Sequence, residues 1–165
     1  MTAPRRSWWS PRNSLQGLCI YALGDLAAQV ILHQFLATRL LGVMALGATL
    51  YAVEIPNWFA FIDRTVTTQA PTRRALARTA LALLYFNPLW IARHLLFLRV
   101  FSGDWQGLST DLLRIGLVSW LANLPVATLA NWLIQVKVPL RWRFLASAAF
   151  SGLMAIYYAM SAVIW

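Results

Sequence analysis

Five apolar runs, each long enough to cross a lipid bilayer, constrain this chain more than any other feature. They cover residues 15–36, 40–62, 75–98, 115–136 and 144–165. A helix needs about 20 apolar residues to cross the hydrocarbon core, and it satisfies its backbone hydrogen bonds within itself. Because the runs lack the period-two alternation of barrel strands, the sequence predicts an all-α, polytopic transmembrane bundle of five helices, of which four or five span the membrane.

The composition argues against a soluble protein. Of the 165 residues, 60% are apolar and 12% are charged, whereas a soluble domain carries about 25% charged residues. A net charge of +9 would suggest nucleic-acid binding in a soluble chain. Here the cations are scattered between apolar runs, so we expect them to contact membrane lipids, and we expect no nucleic-acid partner.

The distribution of the basic residues predicts an orientation. With five spans, the N-terminal tail and the second and fourth loop regions share one side of the membrane. That side carries ten cations: Arg5, Arg6, Arg12, Arg64, Arg73, Arg74, Arg78, Lys137, Arg141 and Arg143. The other side carries Arg39, Arg93, Arg99 and Arg114. By the positive-inside rule, the N-terminus lies on the matrix or cytoplasmic side.

The chain divides into a basic tail, residues 1–14, and a single transmembrane domain, residues 15–165. The tail contains three arginines, three serines and no acidic residue. This composition is typical of a mitochondrial targeting segment. It is equally typical of a short tail that orients the first helix, and the sequence leaves both interpretations open.

Ionisable side chains inside the apolar runs are the candidate functional residues. Asp25, Gln29 and His33 are spaced by four residues, which places them on one face of a helix. Glu54 precedes a proline, and Arg93 lies near the end of the third run, where it can pair inward with Asp25 or Glu54. Such groups indicate a functional site by default. This polar face is either a pathway for protons, ions or small solutes, or an interhelical contact.

Small residues and prolines predict how the helices pack and bend. Small side chains at four-residue spacing let membrane helices approach closely. The predicted packing residues are Gly24, Ala28, Ser147, Ser151, Ala155 and Ala159. Proline interrupts the helical hydrogen-bond ladder, and we therefore predict kinks at Pro56, Pro88 and Pro125.

We find no sequence signature of catalysis. The chain has no nucleophile elbow, no phosphate-binding loop and no zinc-protease motif. Its single cysteine, Cys19, excludes an intrachain disulfide and a cysteine-rich metal site, and we interpret it as a small buried residue. The sequence predicts no enzyme, no metal site and no cofactor, apart from bound lipids such as cardiolipin.

Six short motifs follow one another along the chain: Gly24-Asp25 with Gln29, Arg39 with Gly47, Trp58-Phe59 with Asp63, Asn87-Pro88, Pro125 with Asn131-Trp132, and Val138-Pro139 with Arg143. In this order they resemble the motifs of the Mpv-seventeen family, which includes the twenty-two-kilodalton peroxisomal membrane protein and mitochondrial inner-membrane relatives. They extend over residues 15–143. The chain departs from the pattern at Thr128, where the family has glutamine, and at Ala52-Val53, where it has Gly-Pro. The resemblance implies a non-enzymatic helical membrane protein of the mitochondrion or peroxisome.

Two functions from different classes follow as expectations. The first is a structural or accessory subunit of a larger assembly in the inner mitochondrial membrane, such as a respiratory-chain complex or ATP synthase, because several polar residues of the family motifs are missing. The second is a free-standing, channel-like pore for small solutes or ions, as proposed for some members of the family. The peroxisomal membrane is the alternative location.

Overall fold

The computed structural model describes residues 9–164, without the side chains of residues 155 and 158–164. This part of the chain consists of helices joined by short connections and contains no strand. Seven α-helices follow one another, and a short π-helix, Gly47–Tyr51, joins the second to the third. They are α1 (Pro11–Ile31), α2 (Ala37–Leu46), α3 (Ala52–Thr65), α4 (Pro71–Tyr85), α5 (Pro88–Phe101), α6 (Asp111–Lys137) and α7 (Leu140–Ile164). The all-α prediction is confirmed.

The helices combine into five rods. Within the described residues, four rods are long and apolar enough to cross a membrane, namely Pro11–Ile31, Ala37–Thr65, Pro71–Phe101 and Asp111–Lys137. The fifth rod, α7, has 25 residues. Each rod packs against the next one along the chain, and α7 packs against α1. The rods therefore form a closed ring in which consecutive rods run in opposite directions, whereas α1 and α7, which close the ring, run parallel.

Two ends of the bundle follow from this alternation. We call the end formed by the starts of α1, α4 and α7 and the ends of α3 and α6 the N-terminal face. Contacts across it confirm that these helix ends meet: the Arg12 guanidinium lies 4.7 Å from the centre of the Trp142 ring, and Arg143 pairs with Asp63. The other end is the opposite face.

The helix boundaries differ from the predicted ones where proline or a turn intervenes. The first helix begins at Pro11 rather than at residue 15, because proline is favoured in a first helical turn. It ends at Ile31 rather than at residue 36. The predicted tail, residues 1–14, therefore includes the first turn of α1, while residues 1–8 lie outside the described part of the chain.

The predicted proline kinks have three different outcomes. At Pro88 the rod is broken, because α4 ends at Tyr85 and α5 begins at Pro88, with the Asn87 side chain capping the new helix. Pro56 lies inside α3, one turn after the π-helix. Because proline has no N–H, the carbonyl of Ala52 lacks its helical hydrogen-bond donor. Ala52 is the residue that directly follows the π-helix. Pro125 lies within the continuous helix α6.

Buried side chains fill the part of the ring interior around Tyr51. Tyr51, Ile55, Ile62 and Ile91 are each 0% exposed. Tyr51 lies at the centre, in ring contact with Tyr21 on α1. This packing holds the three first rods together around an aromatic and aliphatic core.

Glycines allow α1 to approach its neighbours at backbone distance. A Cβ atom at Gly17 would overlap the carbonyl oxygen of Gly47 in the π-helix. A Cβ at Gly24 would lie 2.8 Å from the carbonyl oxygen and 2.9 Å from the Cα of Gly152 in α7. These contacts fix α1 between two rods. They require glycine at positions 17, 24 and 47, whereas a Cβ at Gly152 would meet only Ile20, at 3.3 Å or more.

We expect Gly24→Ala to destabilise the bundle, because the added methyl group must push α1 away from α7. Overpacking of this kind costs about 1–3 kcal/mol. The measurement is thermal unfolding of the detergent-solubilised protein, followed by circular dichroism. Leu23→Ala is the matched control, since Leu23 is 66% exposed on the same helix. Equal unfolding temperatures for Gly24→Ala and the unmodified chain would contradict the close α1–α7 contact.

Candidate functional site

Asp25 and Gln29 form a buried polar cluster with the start of α2. Each of the two side chains is 2% exposed. The Asp25 carboxylate accepts hydrogen bonds from Arg39 Nε at 2.8 Å and from Gln29 Nε2 at 2.6 Å, and Arg39 Nη2 lies 2.7 Å from Asp25 Oδ1. Gln29 Oε1 accepts a hydrogen bond from the backbone N–H of Leu36 at 2.6 Å. The cluster therefore ties the last turns of α1 to the connection and the helix that follow.

His33 does not belong to this cluster, and the prediction that it shares the face of Asp25 and Gln29 is wrong. Helix α1 ends at Ile31, two residues earlier. His33 lies in the turn with a φ of +51°, and its side chain is exposed. Because the helix ends before residue 33, the four-residue spacing does not place His33 on the face of Asp25 and Gln29.

Glu54 and Arg93 form a second polar cluster, separate from Asp25. Arg93 donates to both carboxylate oxygens, with Nη1 3.0 Å from Oε1 and Nη2 2.7 Å from Oε2. The hydroxyl of Tyr85 donates to Oε2 at 2.8 Å. The two-pronged geometry fixes the planes of both charged groups. Of the two predicted partners for Arg93, the structure brings it to Glu54.

The Glu54–Arg93 pair faces outward from the ring at mid-depth. The Glu54 and Arg93 side chains are 29% and 34% exposed. Glu54 lies 17 residues after the start of its rod at Ala37 and 11 residues before the end at Thr65. The pair borders an open cavity of about 260 Å³ beside the helix break, which Asn87 and Trp90 also line. Two formal charges therefore reach the surface in the middle part of an apolar rod that is long enough to cross a membrane.

A third cluster stands at the N-terminal face and joins three rods. Asp63 Oδ1 lies 2.6 Å from Arg143 Nη1 on α7 and 2.9 Å from Arg78 Nη2 on α4. Arg143 also donates to the carbonyl of Val138 at 3.0 Å. Sequence reasoning assigned these arginines to loops and headgroups and missed their carboxylate, because Asp63 and Arg143 are 80 positions apart.

Helix α6 carries a buried polar stripe that the sequence analysis also missed. Ser119, Asn123, Asn131 and Gln135 are spaced by multiples of four and are at most 7% exposed. Within the described residues, neither amide atom of Gln135 has a hydrogen-bond partner. The spacing is visible in the sequence, but the run contains no formal charge that would single these residues out.

The predicted packing residues of α1 and α7 lie on the inner sides of their helices where the structure describes them. Ala28 is 1% exposed, Ser147 2% and Ser151 9%. Gly24 meets Gly152, as described above. The side chains of Ala155 and Ala159 lie outside the described part of α7.

The described residues contain no assembled metal or thiol chemistry. Across residues 9–164, no group of three or more His, Cys, Asp or Glu side chains gathers to hold a metal ion. The Nδ1 atom of the buried His94 lies 2.9 Å from the hydroxyl of Tyr51, and its ring stacks on Trp90. Cys19 is exposed on α1, so our interpretation of it as a buried residue is wrong.

The chain matches no protein-family model, no curated protein sequence and no solved structure in the three comparisons that we made.

We expect Asp25 and Arg39 to behave as one coupled unit. Asp25→Asn or Arg39→Gln alone leaves a buried charge without its partner, which costs about 3–5 kcal/mol. The double variant should lose less than the sum of the two. The measurement is the free energy of unfolding in detergent, as a double-mutant cycle. Asp111→Asn, at an exposed position, is the control, and additive losses would contradict the pairing.

We expect the loop between α5 and α6 to lose a contact in acid. The N–H of Gly107 donates to Asp104 at 2.9 Å, and together with Arg99 this holds the pKa of Asp104 below its ordinary value. Because the pKa is lowered in the folded protein, the contact stabilises the loop fully when the pH is above the ordinary aspartate pKa of about 3.9. The stabilisation is lost as the pH falls through the lower pKa of the folded state.

The measurement is the chemical shift of the Gly107 amide in an NMR titration of the micelle-bound protein. Its midpoint should lie below that of an unstructured aspartate, and Asp104→Asn should abolish the transition. A midpoint at or above the ordinary value would contradict the contact.

Proposed function

We propose that this protein is a non-enzymatic accessory subunit that packs against another membrane protein through the surface around Glu54, Tyr85 and Arg93. The assembly that we propose is a respiratory-chain complex or ATP synthase of the inner mitochondrial membrane. Support for this location comes from the basic, acid-free tail and from the family resemblance. The N-terminal face is then the matrix side.

The outward-facing ion pair is the observation that carries the proposal. Charged groups inside a membrane are expensive and normally face a bundle interior or a water-filled cavity. The Glu54–Arg93 pair instead opens onto the outer surface of the ring, with about a third of each side chain exposed. A partner helix that covers the pair and offers hydrogen bonds removes the contact between these charges and lipid chains.

The other acidic groups support a structural role. Asp25 and Asp63 are each engaged by arginine side chains between rods, and Gln29 uses both ends of its amide. Groups held in this way stabilise the bundle and are poorly suited to exchange ligands with a passing ion. The apolar interior around Tyr51 and Ile55 argues in the same direction.

A channel for small solutes or ions is the second candidate. The buried stripe on α6 favours it, because Ser119, Asn123, Asn131 and Gln135 place polar atoms along 16 residues of one helix. At 1.5 Å per residue this is about 24 Å, most of the hydrocarbon thickness. Unlike the predicted polar face of α1, this stripe contains an amide without a partner among the described residues.

The decisive experiment places a photo-crosslinking residue at position 89, which is 67% exposed next to the ion pair. The matched control is position 129 on α6, which is 60% exposed. We expect crosslinks to one defined protein from position 89 and few from position 129, and co-migration with a large complex on a native gel after mild extraction. The double variant Glu54→Gln/Arg93→Gln should weaken that association by about tenfold, or 1.4 kcal/mol.

Two results would overturn the subunit proposal. One is a chain that migrates alone and crosslinks equally from both positions. The other is ion or solute conductance by the purified protein in bilayers that changes with Asn131→Leu, which would favour the channel.

A further inference from the structure

A cleft at the N-terminal face stands apart from the ion pair of the proposed interface. Its volume is about 490 Å³, and it lies between the first turn of α1, the last turns of α3 and the first turn of α7. Cavities of this size lie within the range of small-molecule sites, about 300–1,000 Å³. We therefore asked which chemistry its lining would recognise.

The rim of the cleft is cationic and amide-rich. Arg64 and Arg141 line it from exposed positions, and Asn13 and Asn57 line it from half-buried ones. Arg12 stands nearby, since both Arg12 and Arg141 lie over the ring of Trp142, at 4.7 and 6.0 Å from its centre. In the described part of the chain, none of these three arginines pairs with a carboxylate.

The single carboxylate that lines the cleft does not cancel this charge. Asp63 is already engaged by Arg78 and Arg143. Two arginines therefore pair with the one aspartate, and Arg12, Arg64 and Arg141 add charge in or beside the cleft. In addition, α1 and α7 both begin here, and the first N–H groups of a helix favour an anion.

The bottom of the cleft is apolar. Phe59 and Phe144 line it and are 1% and 4% exposed, and Pro56 and Ala60 add further apolar lining. Trp142, which is 39% exposed, marks the level of the headgroups, where indole rings concentrate. A ligand that fits has an anionic group at the rim and hydrocarbon below it.

From this amphipathic arrangement we propose that the cleft binds the phosphate of an anionic phospholipid. The guanidinium groups of Arg64 and Arg141 contact the phosphodiester oxygens, and the first acyl carbons lie against Phe59 and Phe144. The lipid thereby bridges α1, α3 and α7 at the face where the positive-inside rule expects the anionic leaflet contacts. Free inorganic phosphate carries the same negative charge, but it has no hydrocarbon part that could pack against Phe59 and Phe144.

The test measures phospholipid retained by the full-length protein. The protein is reconstituted into vesicles of equal phosphatidylcholine and phosphatidylglycerol, extracted in mild detergent and analysed by native mass spectrometry. We expect retained phosphatidylglycerol in the unmodified protein. Because each arginine near an anionic surface contributes about fivefold in affinity, Arg64→Gln/Arg141→Gln should reduce retention by roughly 25-fold.

Three control variants separate this site from general surface charge and from misfolding. Arg73→Gln/Arg74→Gln removes the same charge from the same face, away from the cleft, and should retain the lipid. Arg64→Lys/Arg141→Lys keeps the charge and should restore most of the retention. Ala60→Phe fills the cleft without changing any charge and should reduce retention as strongly as the double glutamine variant.

A parallel arm uses phosphatidylcholine vesicles with added inorganic phosphate. Bound phosphate that depends on Arg64 and Arg141 would overturn the lipid proposal in favour of a free-phosphate site. Equal phosphatidylglycerol retention by the unmodified, double glutamine and Ala60→Phe proteins would overturn it as well. These outcomes are independent of crosslinking at position 89, so this site and the subunit interface can fail separately.

Discussion

Every formal charge inside a lipid-embedded bundle needs a partner from the same bundle or from a neighbour, and this requirement organises the whole structure. The chain has only five acidic residues, and four of them pair with arginine. Three of these acidic residues join different helices through four ion pairs: Asp25 joins α1 to α2, Glu54 joins α3 to α5, and Asp63 joins α3 to both α4 and α7. Since lipid cannot solvate a separated pair, each one fixes the relative position of the helices that carry it.

Glycine contacts complement the ion pairs. Hydrophobic burial gives little specificity between helices that are already in an apolar solvent, so close packing must supply it. Gly17 against Gly47 and Gly24 against Gly152 bring α1 to backbone distance from two rods. The charged clusters lie at the ends and on the outer surface of the ring, whereas the glycines lie between neighbouring rods and allow them to pack closely.

The three polar regions differ in what they offer to other molecules. The Asp25 cluster is closed, because its donors and acceptors are used within the chain. Both carboxylate oxygens of Glu54 are hydrogen-bonded within the chain, but the Glu54–Arg93 pair is open to the surface and Arg93 Nε has no hydrogen-bond partner among the described residues. A protein neighbour that offers hydrogen bonds is the cover that we propose for this pair. The cleft at the N-terminal face has arginines at its rim that pair with no carboxylate in the described part of the chain, and phenylalanines line its bottom. It therefore suits an anionic amphiphile.

The sequence alone determined the fold class, because long apolar runs in lipid have only the helix available to them. It also identified Asp25, Gln29, Glu54 and Arg93 as the polar groups to examine, since a charge within such a run is conspicuous. It could not determine which arginine meets which carboxylate, because Asp63 and Arg143 meet only when the ring closes. Because α1 ends at Ile31, His33 does not lie on the helix face that its spacing predicted. The polar stripe on α6 consists of uncharged side chains, so no formal charge drew attention to it. Pairing, exposure and the shape of the cleft depend on how the five rods are arranged in space, and helical periodicity carries no information about that arrangement.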